Sequence, residues 1–207
     1  MELKALFLNC SLKNSNEPSN TDALYKEAES IFHEEGVESE TIRAADYNIS
    51  YGISEDEGEG DEWPIIFEKV KAADIVIIGT PLWLGEKSSV ATLVIERLYG
   101  GSGITNEKGQ SVYYNKVGGV VITGNEDGAK NAARSILYAF SHIGFTVPPN
   151  VDTYWVGEAG PGASYIEANG HKNDFSVGHA KTMAHNLIHF ANMFQKHAIP
   201  AEGNTME

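Results

Sequence analysis

Between Asn9 and Thr21 the chain places Ser11, Lys13, Ser15, Ser19, Asn20 and Thr21, six hydrogen-bond-donating side chains, just ahead of a segment with helical apolar spacing. Hydroxyls, a side-chain amide and free backbone N–H groups at the positive end of a helix suit a terminal phosphate monoester. Lys13 adds a point charge. Ser19 and Thr21 also serve as ordinary helix caps, but capping does not call for Ser11 or Lys13. The loop contains neither Gly-x-Gly-x-x-Gly nor Gly-x-x-x-x-Gly-Lys-Ser/Thr, so Rossmann-type dinucleotide binding and P-loop hydrolysis lose their main support.

The elements around this loop follow from periodicity. Leu3–Leu8 is a short apolar run and reads as a buried strand. A helix carrying Leu24, Ala28, Ile31 and Phe32 on one face follows, stopped at Gly36. Val37–Arg43 is a modest second strand, and a helix opens near Pro64. Asp74–Thr80 is the clearest strand, its β-branched run matching one covered on both faces. Pro81–Lys87 is expected to be a loop and Ser88–Tyr99 a helix, and Gly100–Tyr114 reads as a loop or small hairpin. Val117–Thr123 is another buried strand, Gly124–Gly128 its exit loop and Ala129–Ile143 a helix. Thr146–Trp155 is expected as the last strand, interrupted by Pro148-Pro149, and Val177–His197 as the closing helix. Such alternation predicts a parallel sheet with helices on both faces. Ligands of such sheets sit beyond the C-terminal strand ends, where the loops Asn9–Thr21, Pro81–Lys87 and Gly124–Gly128 should meet.

Cys10-Ser11-Leu12-Lys13 with the later Ser19-Asn20-Thr21 resembles the phosphate loop of the NAD(P)H-dependent FMN reductase family, usually Gly-Ser-x-Arg followed by Ser-Asn-Thr. Gly79-Thr80-Pro81-Leu82-Trp83-Leu84-Gly85 is similar to that family's Pro-aromatic flavin loop, and Thr123-Gly124-Asn125-Glu126-Asp127-Gly128 to its Gly-rich loop. The resemblance spans Lys4 to about Pro149 and touches Tyr154-Trp155 and Gly157-Glu158. Cys10 and Lys13 depart from the usual Gly and Arg, which removes bidentate phosphate contact, and Asn14–Pro18 lengthens the loop. The resemblance implies an α/β, flavodoxin-like three-layer sandwich with a five-stranded parallel sheet in the order 2-1-3-4-5. It implies FMN as cofactor, NAD(P)H as electron donor, a quinone, flavin or other small molecule as acceptor, and a homodimer or homotetramer. Ser11, Lys13, Ser19, Asn20 and Thr21 would hold the phosphate. An isoalloxazine ring needs a flat apolar surface and amide donors: Trp83 suits the first, with Pro81 and Leu82 shaping the loop. The N–H groups of Leu84 and Gly85, with those of Thr123, Gly124, Asn125 and Gly128, suit the second. No protein acid or base is required, and none is nominated. An electron carrier without nicotinamide turnover and a cofactor-free binding module are the alternatives.

Composition bounds these readings. The 207 residues, 42% hydrophobic, suit one domain, with 157–207 as an extension packed on it or in an oligomer interface. A formal net charge of -14 disfavours nucleic-acid binding, which needs Lys and Arg on phosphates. Cys10, the single cysteine, allows no intrachain disulfide and no iron–sulfur cluster. No apolar run approaches the ~18 residues of a membrane span, and a first strand beginning at Glu2 or Leu3 leaves no room for a signal peptide; a cytoplasmic protein is expected. His185 and His189, spaced i, i+4, lack the Glu of His-Glu-x-x-His and an evident third ligand, so no metal is assigned. Glu126 and Asp127 are taken as loop surface. The acidic stretch 46–62, with seven Asp or Glu and no Lys or Arg, reads as a solvated excursion. Gly157–Gly162 is Gly-rich and reads either as a cover for the flavin or as a plain loop.

Overall fold

Successive side chains of a strand point to opposite faces, and the three central strands use this fully. In β1 (Lys4–Asn9), Leu6 and Leu8 face one layer while Ala5 and Phe7 face the other. In β3 (Ile75–Trp83), Val76 and Ile78 oppose Ile75 and Ile77. In β5 (Val117–Thr123), Val120 and Ile122 oppose Val117 and Val121. Two hydrophobic cores therefore flank one sheet. Against the first lie α2 (Trp63–Ala72), α3 (Ser89–Gly100) and α4 (Ala129–Ile143); against the second lie α1 (Asn20–Glu34) and α5 (Asp174–Lys196). The computed structural model describes residues 2–158, 160 and 162–206.

With β2 (Glu38–Arg43) and β6 (Asp152–Trp155), the parallel order is β2-β1-β3-β5-β6. A two-residue β4 (Glu86–Lys87) pairs antiparallel with the end of β3. Setting β4 aside, this is the expected 2-1-3-4-5 order of a flavodoxin-like sandwich. Glycines let helices approach β5 closely: a Cβ at Gly118 would lie 2.7 Å from the Phe140 ring.

Three boundaries differ from expectation. The strand expected over Asp74–Thr80 continues to Trp83, and the loop expected over Pro81–Lys87 is a β-hairpin, Leu82 pairing with Lys87 and Trp83 with Glu86. Its two turn residues, Leu84 and Gly85, have φ of 53° and 77°, the positive pair that a two-residue hairpin turn demands. The last strand is confined to Asp152–Trp155; Thr146 keeps only an isolated bridge to Val117, because Pro148 and Pro149 have no N–H for a ladder.

The acidic stretch 46–62 is folded around a buried ion pair rather than merely solvated. Arg97, on the buried face of α3, meets Asp61 at 2.7 Å, and both side chains are 0% exposed. Arg97 also donates to the carbonyls of Ser50 and Glu55, while Asp61 accepts the N–H groups of Ser50, Glu57 and Trp63. Burial alone would raise the Asp61 carboxyl; these donors outweigh it and hold its pKa at about 2.

Candidate functional site

The C-terminal ends of β1, β3 and β5 open into a cavity of about 430 Å³. Its phosphate-loop side is organised by Asn9, the last residue of β1, which is 0% exposed. The Asn9 Oδ1 accepts the N–H of Ser11 at 3.1 Å, and its Nδ2 donates to Ser19 Oγ at 3.2 Å. Ser19 caps α1, so its Oγ also accepts the N–H of Asp22 at 3.2 Å. A hydroxyl has two lone pairs and one proton. With both lone pairs of Ser19 occupied, its O–H can only donate. Ser11 Oγ accepts the N–H of Lys13 at 3.2 Å and keeps its own proton free. Thr21 and Thr123 share one hydroxyl–hydroxyl bond of 2.8 Å across the two loops, leaving one proton between them. Among the described residues, the N–H groups of Asn20 and Thr21 have no protein acceptor, as expected for the first turn of a helix, and neither has that of Leu12 in the loop.

This donor set fits a phosphate monoester. The approach itself depends on Gly79: a Cβ there would lie 2.3 Å from Phe7 and 2.8 Å from Thr21 Cγ2. Arg43 grips the loop from behind, donating to the carbonyls of Lys13 and Asn14 at 3.1 and 3.0 Å. Lys13 is half exposed and ion-paired to Glu17 at 3.6 Å. Charge at this loop is therefore modest, and backbone and hydroxyl donors dominate.

Ser11, Lys13, Ser19, Asn20, Thr21, Pro81, Leu82, Trp83, Thr123, Gly124 and Asn125 all border the cavity. Leu82 forms part of its floor, and a Cβ at Gly124 would lie 2.7 Å from Leu82 Cβ. Trp83 stands at the rim, 55% exposed. Leu84, Gly85 and Gly128 lie outside the lining. The hairpin turn carries Leu84 to 94% exposure and hands its N–H to Glu126 Oε1 at 2.6 Å, so Glu126 is a strap between two site loops and not plain surface. Gly128 packs against that turn, where a Cβ would lie 2.5 Å from Gly85 Cα. Asn131 fixes the same turn from α4 by donating to the Gly85 carbonyl at 3.1 Å.

Two bordering residues, Ser164 and Tyr165, have no signal in the first loop's neighbourhood of the sequence. Their segment is tied down at both sides of the cavity. The Ile166 N–H donates to Asn20 Oδ1 at 2.9 Å, Asn125 Nδ2 donates to the Gly162 carbonyl at 3.0 Å, and the Gly160 N–H donates to the Asn125 carbonyl at 3.0 Å. Ser164 and Tyr165 thus border the cavity from within the same chain; Ala159 and Pro161, in the Gly-rich segment before them, lie outside the described residues. Tyr165 is 3% exposed, and burial pushes its hydroxyl pKa up to about 12. Asn9, Arg43 and Asn131 also went unmarked in the sequence. A polar residue ending a buried strand, as Asn9 does, is the signal that would have marked it.

A family model described as NADPH-dependent FMN reductase matches residues 3–159. The chain is 36% identical over 205 residues to the 8-demethyl-8-aminoriboflavin-5'-phosphate synthase of Streptomyces davaonensis, covering 95% of this chain and 80% of that protein. It is 45% identical over 199 residues to a Mycobacterium bovis protein named divalent metal cation transporter MntH. That match takes in 93% of this chain but 29% of the Mycobacterium protein's length, and no helix among the described residues is long and apolar enough to cross a membrane. The solved structure of RosB with the bound intermediate 8-demethyl-8-formylriboflavin-5'-phosphate is similar at a TM-score of 0.87 and 36% identity, over 94% of this chain and 81% of that one. A flavone reductase (TM-score 0.66, 18% identity, 95% and 65% coverage) and an archaeal flavodoxin (0.56, 12%, 92% and 99%) share the fold. Family model and flavoprotein neighbours together indicate FMN as the cofactor and a flavin-dependent oxidoreductase as the class of enzyme.

Proposed function

The chain belongs to the NADPH-dependent FMN reductase family, and on that premise we propose that it is an FMN-dependent NAD(P)H oxidoreductase delivering electrons to a quinone, flavin or other small acceptor. The observation that carries this reading is the meeting of three loops in one cavity, with unspent donors at one end and an apolar Leu82–Trp83 surface at the other. Ser11, Ser19 and the α1 N-terminus would hold the phosphate through donated hydrogen bonds. The β3–β4 hairpin, pinned by Glu126 and Asn131, would offer Trp83 to the ring, and the backbone of Gly124 and Asn125 would supply donors to it. When bound, FMN supplies two-electron redox chemistry. The protein's part is orientation and shielding, and no side chain is assigned a proton transfer. A cytoplasmic homodimer or homotetramer agrees with this role.

The test is the visible spectrum of the purified protein after FMN loading and gel filtration, then after NAD(P)H. Flavin bands that stay bound and bleach with NAD(P)H, with turnover on a quinone, are expected. Bands that bleach only with dithionite would replace the reductase by an electron carrier, and a blank spectrum after loading would leave a cofactor-free module.

A second reading draws on the 36% identity to the Streptomyces enzyme over most of both chains: the flavin phosphate is itself the substrate and leaves modified. Mass spectrometry of the flavin recovered after incubation separates the two, since a reductase returns FMN of unchanged mass.

A further inference from the structure

The stretch from Ser164 to Gly170 is closed on itself. The Ser164 N–H and Oγ both donate to Glu167 Oε2, at 3.0 and 2.8 Å. The Ala168 N–H donates to the Ser164 carbonyl at 2.8 Å, that of Asn169 to Ile166 at 3.1 Å and that of Gly170 to Tyr165 at 2.7 Å. Tyr165 anchors the stretch: its ring meets Trp155 edge to face at 5.7 Å, and a Cβ on Gly170 would lie 2.2 Å from Tyr165 Cδ2. With these internal bonds the stretch keeps its shape as one unit. Its outer links decide how firmly it seats against the cavity that Ser164 and Tyr165 border.

Two asparagines of the cavity lining make such links. On the Gly-rich loop, Asn125 Nδ2 donates to the Gly162 carbonyl at 3.0 Å, which leaves its side chain an acceptor end that a phosphate repels. On the phosphate side, Asn20 Oδ1 accepts the Ile166 N–H at 2.9 Å. Only the oxygen of a carboxamide accepts, so this bond fixes the orientation of the Asn20 amide and leaves Nδ2 as its donor end. Asn20 is the first residue of α1, directly after the Ser19 cap, and borders the same cavity. Its spare donor therefore joins those of Ser11, Ser19 and the helix N-terminus. The Ile166 bond itself is solvent-exposed, where water competes and a neutral bond contributes little. A hydrogen bond donated from the nitrogen of an amide polarises the group and strengthens the bond its oxygen accepts. A phosphate monoester on Nδ2 would therefore tighten the link to Ile166.

We infer that Asn20 couples phosphate recognition to the seating of residues 164–170, so that the phosphate of the flavin, and not its ring, firms the wall formed by Ser164 and Tyr165. Asn20 is then a positioning residue, and the firm wall is specific for a phosphorylated flavin over the free one. The inference rests on FMN binding for the identity of the phosphate, though not for the coupling itself.

The test is hydrogen–deuterium exchange of the full chain, read on peptides spanning 162–170, with FMN, riboflavin and inorganic phosphate, the two flavins at matched occupancy. FMN should slow exchange there fivefold or more, inorganic phosphate should slow it too, and riboflavin should change it less than twofold. Asn20→Asp keeps an acceptor for the Ile166 N–H but loses the spare donor. Its ligand-free exchange should be no faster than the parent's, and FMN at matched occupancy should add no slowing. Asn20→Ala loses both ends, so its segment should exchange faster than the parent's while the sheet exchanges as before. Equal slowing by FMN and riboflavin overturns the coupling, because the ring would then be the cause. Absence of slowing by bound FMN, or slowing that persists in Asn20→Asp, overturns it as well. If the chain retains no FMN, FMN binding fails on its own account. Slowing by inorganic phosphate that Asn20→Asp abolishes then still upholds the coupling, and no slowing by phosphate overturns it.

Discussion

Replacing Asn9 tests whether the loop works by directing hydroxyl protons. In the native loop, Asn9 Nδ2 and the Asp22 N–H fill both lone pairs of Ser19 Oγ, and the remaining proton is available to a ligand. Asn9→Asp keeps an acceptor for the Ser11 N–H but has nothing to donate to Ser19. The Ser19 hydroxyl then turns to the new carboxylate, and a negative charge replaces a neutral amide beside the phosphate. A hydrogen bond to a charged group is worth about 1.5–3 kcal/mol, so FMN affinity should fall by about 10- to 150-fold. Asn9→Ala leaves Ser19 free to donate but strands the buried Ser11 N–H, at about 1–3 kcal/mol of stability; its affinity loss should be the smaller of the two. The assay is quenching of flavin fluorescence, with FMN and riboflavin titrated in parallel and denaturant unfolding measured on each variant. Riboflavin carries no phosphate and should bind the parent and Asn9→Asp equally well. If Asn9→Asp weakens riboflavin as much as FMN, or binds FMN no worse than Asn9→Ala, the hydroxyl argument is wrong.

Asp61→Asn leaves Arg97 buried without its counter-charge and should destabilise the fold by about 3–5 kcal/mol; in thermal unfolding, pairing it with Arg97→Met should recover much of the loss. The Asp61 carboxyl sits at about 2, below its ordinary 3.8, so its contribution is fully present above pH 3.8 and lost as pH falls through 2; acid titration of Asp61→Asn should lack that step. Gly124→Ala sets a Cβ 2.7 Å from Leu82 Cβ and should cost about 1–3 kcal/mol, with weaker FMN binding because the cavity floor must shift, measurable by denaturation and flavin titration. Leu84→Lys changes a side chain that is 94% exposed and outside the cavity; FMN affinity within twofold of the parent is expected, and a tenfold loss would put that side chain back in the site.

The amino-acid sequence by itself determined which loops carry donors and which carry apolar surface, because strand and helix periods are local properties. Asp74–Thr80 and Val117–Thr123 show their burial in their own composition, and so the parallel sheet and the convergence of three loops were legible, while the strand order was legible only through the family resemblance. Ser11, Ser19 and Thr21 were legible as donors for the same reason. What their protons do was not, because Asn9 saturates Ser19 across ten positions and Thr123 meets Thr21 across 102. The Pro81–Lys87 segment looked like a loop because Pro and Gly punctuate it; only the pairing of Trp83 with Glu86 turns Leu84 outward and leaves Trp83 at the rim. The acidic stretch looked solvated because its counter-charge, Arg97, lies 36 residues beyond Asp61 on another element. Hydrogen-bond direction and charge pairing depend on partners that chain folding brings together, and composition records the groups without recording whom they meet.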